Sequence, residues 1–295
     1  MFFIVGIVIV MGCIFGGYSV HGDMGILWQP IEFVIILGAG IGAFIIANPK
    51  KTVTGSLKAF GTLVKGPAYK KDNYLELLSV LYSTFKLAKS KGDLALETHV
   101  ANPHDSTLFG AYPKFQHDHH AVEFFCDYLR LLTLGANNPH EVEVVMDEEL
   151  DIHHAETGAI STAFQVFADA VPALGIVAAV LGFIVTMSSI TEPSEILGGL
   201  IAAALVGTFF GIFMSYGVLA PMASNLSATY ASDAHYMKCI KIALIGHMQG
   251  YAPRVSVEFA RKALASEMRP TFAEVEEMLQ NLPPVGQSKY RTIGS

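Results

Sequence analysis

Polar and apolar positions along this chain fall into long blocks. No Asp, Glu, His, Lys or Arg occurs from Ala170 to Thr191, and after an acidic turn at Glu192 to Glu195 none recurs from Ile196 until Asp233. A hydrocarbon layer ~30 Å thick is crossed by ~20 apolar residues at a helical rise of ~1.5 Å. The stretch from Val171 to Pro221 therefore predicts two membrane-spanning helices joined in a hairpin. Two earlier apolar runs, Phe2 to Val20 and Pro30 to Ala47, predict two more spans, separated by an outside turn from His21 to Gln29 that is too short to hold a domain. Met1 to Val20 lacks the basic start and small-residue cleavage site of a signal peptide, so it reads as a retained span.

Elsewhere the pattern has the 3.6-residue period of amphipathic helices. Tyr74, Leu77, Leu78, Leu81, Phe85 and Ala88 share one face, with Glu76, Lys86 and Lys89 off it. Gly92 interrupts that helix, and Leu94 to Val100 reads as a short second one before Asn102-Pro103. A third, about His120 to Leu134, ends at Gly135, and Asn138-Pro139 starts a fourth. No proline stops the fourth helix before Pro172, so it is expected to run through Phe164 into span three, and span four to continue past Pro221 toward His247. Further helices are expected from Val255 to Ala265 and from Phe272 to Leu282, the latter opened by a capping box at Thr271 and Glu274.

The predicted architecture is an all-α integral membrane protein with four transmembrane helices, a helical cytoplasmic domain between spans two and three, and a helical cytoplasmic C-terminal region. The expected boundaries are 1–47 for spans one and two, 48–163 for the inserted domain, 164–222 for spans three and four, 223–282 for the extension and 283–295 for a disordered tail.

Composition agrees: 52% of residues are hydrophobic and 15% charged, against ~25% charged in soluble domains. All 19 Lys and Arg lie between Lys50 and Arg130 or between Lys238 and Arg291. The positive-inside rule then places both blocks, and both termini, in the cytoplasm. A net charge of -7 argues against nucleic acid as a partner. Cys13, Cys126 and Cys239 form an odd set and read as free buried thiols.

The chemistry is defined first by a gap. Spans three and four carry no ionisable group of the kind a proton relay through hydrocarbon needs, so a partner must bring the carboxylate. Glu32 stands at the outer end of span two, where it can stay at the headgroups. Ala203, Gly207, Gly211 and Ser215 recur every fourth residue on span four, a small-residue face on which a partner helix could dock. Beside them Thr208 offers a hydroxyl that either lines a wet path or bonds back to the carbonyl four residues earlier. Pro172 and Pro221 each remove a backbone donor and mark hinges or packing kinks. The histidine groups His117, His119 and His120, and His153 and His154, read as solvated faces, with no metal site expected. The acidic run Asp147 to Asp151 reads chiefly as a soluble helix face. No Walker A, GxSxG, HExxH or CxxC pattern is present, so no enzyme activity and no cofactor is expected.

Residues 204 to 212, ALVGTFFGI, followed by Pro221, resemble the signature of the MotA family, the proton-channel subunits of the bacterial flagellar stator. FGGYSVHG at Phe15 to Gly22, QPIEFVIILGAGIGAF at Gln29 to Phe44, DYLRLL at Asp127 to Leu132, MDEELDIH at Met146 to His153 and GYAPRVSVEFARKAL at Gly250 to Leu264 extend the resemblance over nearly the whole chain. The resemblance implies an inner-membrane subunit, five copies around a dimer of MotB, with MotB supplying a membrane Asp that Thr208 faces. It matches Pro172 and Pro221 to the family's functional prolines. Ala179, where sodium-driven relatives tend to carry Thr, implies protons over sodium. Lys89 and Glu97 fall where the family touches the rotor protein FliG; Lys replaces the family's Arg there, and Lys91 could share its role. An energy transducer of the ExbB or TolQ type is the alternative, although the extra QPIEFVIILGAGIGAF span departs from it. A passive membrane scaffold is the third reading.

Overall fold

The computed structural model describes residues 2–282, and among these every regular element is helical. The proposed tail, 283–295, lies outside the described residues. Two compact units are present, one built from Met1–Gly66 with Ala155–Tyr230, the other from Pro67–His154 with the chain from Ala231 onward.

The first unit opens with α1 (Phe2–Ser19) and α2 (Pro30–Ala47), the latter with Pro30 in its first turn, where a missing N–H costs nothing. Next comes α3 (Lys50–Lys65), which the sequence reading passed over. Its buried positions Thr52, Ser56, Ala59 and Leu63 step by three and four along one face, so it is an amphipathic helix packed on the spans and not part of the inserted domain. The unit takes in parts of two long helices, α8 (Pro139–Ser188, 50 residues) and α10 (Ala220–Met248), together with α9 (Ser194–Met214). A π-helical turn, Ser215–Leu219, joins α9 to α10. Its core gathers Ile36, Ala59, Leu63, Phe164, Ala168, Val171 and Leu226. Phe44 rings lie 6.2 Å from Phe164 and 5.9 Å from Phe167.

Pro139–Ser188, Ser194–Met248 and Pro30–Ala47 are long and apolar enough to cross a membrane, and Phe3–Ser19 is a shorter apolar helix. The helix expected to continue from Pro139 through Phe164 is unbroken, with Pro172 inside it, and the span-four helix continues past Pro221 as foreseen.

The second unit contains α4 (Lys71–Lys91), α5 (Glu97–Ala101), α6 (Pro113–Gln116), α7 (His119–Thr133), α11 (Pro253–Lys262) and α12 (Phe272–Gln280). Every residue of the predicted α4 stripe is at most 4% exposed. Gly92 and Gly135 adopt φ values of 84° and 96°, left-handed conformations that end α4 and α7 at little cost only for glycine. The C-terminal helices do not stand apart as an extension over 223–282. Tyr236, Ile240 and Leu244 of α10, Val257 and Ala260 of α11 and Val275 of α12 share one core with Tyr74, Phe85, Phe109 and Phe125. The reason is again a periodic apolar face, which α4 alone could not cover.

Polar contacts fix this core. Tyr69 stacks on Tyr236 with ring centroids 3.8 Å apart and donates from its hydroxyl to Asp118 at 2.7 Å, while Asp118 also caps α7 by accepting from the Ala121 amide. The Lys241 ammonium, 9% exposed, sits 2.6 Å from Asp147 and 3.2 Å from Glu143. Asp147, and Glu149 accepting from the Tyr128 hydroxyl at 2.7 Å, thus give the acidic run a packing role. Burial pushes the Cys126 thiol up to about 12.

Candidate ion-pathway and coupling site

The spans α8 and α9 meet along a seam without bulky side chains. A Cβ placed on Gly175 would lie 3.0 Å from the Gly207 carbonyl oxygen and 3.1 Å from the Gly211 Cα. One placed on Gly182 would lie 2.9 Å from the Ala204 Cβ, and one on Gly207 3.4 Å from the Ala178 Cβ and 3.7 Å from the Ala179 nitrogen. Gly175, Ala178, Ala179 and Gly182 on α8 therefore oppose Gly211, Gly207 and Ala204 on α9 in a regular antiparallel register. Small residues at this spacing let backbones close to van der Waals contact, the chief attraction available between helices in lipid.

This corrects one expectation. The ladder Ala203, Gly207, Gly211 and Ser215 is not left open for a partner's helix: Gly207, Gly211 and Ser215 are buried within the chain, and the two glycines face α8. A periodicity of four identifies a close-packing face and does not say which helix fills it.

The register brings Ala179, 8% exposed, to the level of Gly207, the residue before Thr208. Thr208 is half-buried. Among the described residues its hydroxyl makes no hydrogen bond, whereas the Thr186 hydroxyl donates to the Gly182 carbonyl at 2.9 Å. Pro172 is half-buried inside α8 and Pro221 is exposed in the first turn of α10, directly after the π turn. A proline cannot donate to the carbonyl four residues earlier, and the widened turn before Pro221 is where the hydrogen-bond ladder changes step. Against that turn packs α1: a Cβ on Gly217 would lie 3.2 Å from Val10, and Phe15 and Phe213 rings are 5.4 Å apart.

Glu32 is a second correction. It is 9% exposed, and its Oε2 is the nearest atom to a Cβ placed on Gly207, at 3.2 Å. Ring contact between Phe33 and Phe210 at 4.2 Å holds α2 there. Gly207 lies 13 residues into α9, ~20 Å along the helix, so the carboxyl is far from the turn that joins α8 to α9. The sequence places Glu32 at the outer end of span two, where a carboxyl is expected to stay at the headgroups and need not be buried. One signal was present: Glu32, Ile36 and Gly40 follow at steps of four and form one buried face.

In the second unit, Lys89, Lys91 and Glu97 are all exposed at the end of α4 and on α5. The Lys89 ammonium donates to the Gly250 carbonyl at 3.2 Å. Nearby, His247 stacks on Phe85 at 4.6 Å and meets Asp93 at 3.3 Å. His120 and His153 rings lie 4.8 Å apart. Among the described residues no group of three His, Cys, Asp or Glu stands close enough to hold a metal ion.

Residues 4–92 match the family model for the motility protein A N-terminal region, and residues 116–238 match that for the MotA/TolQ/ExbB proton channel family. The chain is 41% identical to motility protein A of Escherichia coli over 94% of both chains. It is 34% identical to chemotaxis protein LafT of Vibrio parahaemolyticus, over 93% of this chain and 96% of that one. Among solved structures, the MotAB complex of C. jejuni shares the fold, with a TM-score of 0.74, 20% identity, and coverage of 92% of this chain and 98% of the other. The flagellar MotAB stator complex of Bacillus subtilis matches with a TM-score of 0.66 and 24% identity, over 86% and 92%.

Proposed function

The chain belongs to the MotA/TolQ/ExbB proton channel family, on its motility protein A branch, and from that premise we propose that it conducts protons at its interface with a MotB partner and turns their flow into torque. As a stator subunit it is a membrane protein that assembles with MotB, and it is a transporter by kind. The finer reading is an inner-membrane pentamer around a MotB dimer, with four spans, both termini in the cytoplasm and the rotor protein FliG as its moving contact.

The observation that carries this reading is the hairpin itself. Two apolar spans are closed on each other by a glycine seam, with Ala179 level with Gly207, the residue before Thr208, whose hydroxyl has no hydrogen bond among the described residues. MotB brings an Asp to that level, and protonation of it changes its contacts with α8 and α9. Pro172 and Pro221 let the hairpin respond, and Lys89, Lys91 and Glu97, all exposed, engage the rotor transiently. Exposed ion pairs are worth ~0–1 kcal/mol, which suits a contact that must be released at every step. A proton crossing 100 mV supplies ~2.3 kcal/mol, whereas a near-complete two-state switch needs ~5.5. Small increments shared around a ring fit that supply better than one large swing per proton.

The test is swimming speed in cells whose only stator is this chain with its own partner, with external sodium stepped at fixed pH and a protonophore then added. Speed indifferent to sodium and abolished by the protonophore supports the reading. Speed that follows sodium overturns the ion assignment and the weight placed on Ala179. Correct assembly without motility points to a transducer of the ExbB or TolQ type instead.

A further inference from the structure

We propose that Glu32 is a second carboxyl of the ion path, supplied by this chain, which takes up a proton from water and passes it on beside Thr208. The inference rests on the proton-conducting reading above and deepens it.

Four observations converge on this residue. Glu32 is 9% exposed, and its Oε2, among the described residues, has no hydrogen-bond partner. Unpaired carboxylates inside proteins are rare because the charge loses its hydration with nothing in return; at membrane depth the group needs a proton or a cation. The elements packed against it offer none: α8 carries no Asp, Glu, His, Lys or Arg from Ala170 to its end, and α9 carries none beyond Glu195. Finally, Oε2 reaches the space beside Gly207, where an added Cβ would meet Glu32 Oε2 at 3.2 Å, the Ala178 Cβ at 3.4 Å and the Ala179 nitrogen at 3.7 Å, one residue before Thr208.

The glycine at 207 is part of the device. Any side chain there would meet Oε2 at 3.2 Å, so Gly207 keeps open the space into which the carboxyl reaches. An acidic residue in the first turn of α2 also favours the helix dipole, but that effect falls on exposed and buried acids alike and does not call for a buried one. A purely structural role needs only the shape of the side chain, which glutamine keeps. A proton-passing role needs the ionisable oxygen: the carboxylate takes a proton from an incoming hydronium ion, which is left as water, and gives it up to the partner's carboxylate, returning to its first state. No bond other than O–H changes.

The experiment compares the unchanged chain, Glu32→Gln and Glu32→Asp, each with the native partner as the only stator, at matched membrane levels. Motor speed under low load is recorded against external pH. Expected is a loss of about threefold in E32Q, ~0.7 kcal/mol on the limiting barrier, with a flattened pH response. E32D is expected to keep a pH response with a displaced midpoint. E32Q with the speed and pH profile of the unchanged chain overturns the proposal; should E32Q not accumulate, E32D with an undisplaced midpoint does so. Either result leaves the stator reading intact as long as the unchanged chain runs on protons. If that chain is instead driven by sodium, the proton reading falls first and Glu32's proton role falls with it.

Discussion

Gly175 and Gly211 meet backbone to backbone: a Cβ on Gly211 would sit 3.0 Å from the Gly175 Cα and 3.0 Å from the Val171 carbonyl oxygen. Neither obstacle is the end of a flexible side chain, so a methyl group there can be accommodated only by moving the helices apart. Overpacking of this kind costs ~1–3 kcal/mol. Gly211→Ala is expected to lower the thermal midpoint of the purified assembly, whereas Gly198→Ala, where the added methyl meets nothing within 4 Å, leaves it unchanged. Equal midpoints for the two variants would contradict the seam.

Thr208 gives a prediction that separates conduction from stability. Because its hydroxyl makes no hydrogen bond among the described residues, Thr208→Val removes no internal partner there and should shift stability by no more than ~0.5 kcal/mol. Motility should nevertheless fall, while Thr208→Ser retains most of it. Unfolding midpoints and swimming speeds measured side by side decide the matter; a large loss of stability in T208V would assign the hydroxyl a structural role.

The Lys241 cluster is asymmetric. Its ammonium is 9% exposed, whereas the Asp147 and Glu143 side chains are 55% and 40% exposed. Removing the cation frees carboxylates that water can reach, while removing the acids strands a charge inside. The double variant D147N/E143Q is therefore expected to destabilise more than Lys241→Met, by less than the ~3–5 kcal/mol of a fully buried pair because water screens the two acids. Chemical denaturation of the two variants supplies the comparison, and the reverse order would refute the argument.

Glu274 predicts an acid limb. The Lys71 ammonium 2.7 Å away, then the Thr271 amide and hydroxyl, hold its carboxyl down at about 2, from an ordinary 4.5. A depressed value stabilises the fold above the unfolded value and loses that contribution as pH falls from 4.5 toward about 2. Protection of the Phe272–Gln280 amides, taken as exchange relative to the intrinsic rate at each pH, should therefore fall in that window, and Glu274→Gln should remove this pH dependence while leaving protection lower throughout. A window unchanged in E274Q would place the titration elsewhere.

The exposed charges on the second unit behave differently. Since an exposed pair is worth ~0–1 kcal/mol, Lys89→Ala alone should reduce torque only partly, and K89E with K91E together should reduce it far more, with the deficit easing as salt rises. Load-dependent speed of tethered cells measures this; a full loss in K89A would mean a contact stronger than an exposed ion pair.

Much of the fold was legible because it rests on local periodicity. The α4 stripe, the Thr271 capping box, the glycine stops at Gly92 and Gly135 and the unbroken course of α8 all depend on neighbours within a turn or two of helix. What was missed depends on which helix lies opposite which. The ladder on α9 announced close packing but not that α8 fills it, and Glu32 looked interfacial because nothing in the order of residues reveals that α2 is docked half-way along α9. The helix α3 was overlooked for a related reason: its face, Thr52, Ser56, Ala59 and Leu63, is half polar and becomes an interior face only once the spans cover it.

The glycine seam also bears on how the hairpin can move. Glycine and alanine have no side-chain rotamers to surrender, so the two spans associate at almost no side-chain entropy cost. By the same token they have nothing with which to cushion a partial slide. Backbone ridges nested at Gly175 and Gly211, Ala178 and Gly207, and Gly182 and Ala204 act as detents. A partial slide of α8 along α9 loses these contacts, and the next arrangement that sets ridge against groove again lies a whole turn away, ~5.4 Å.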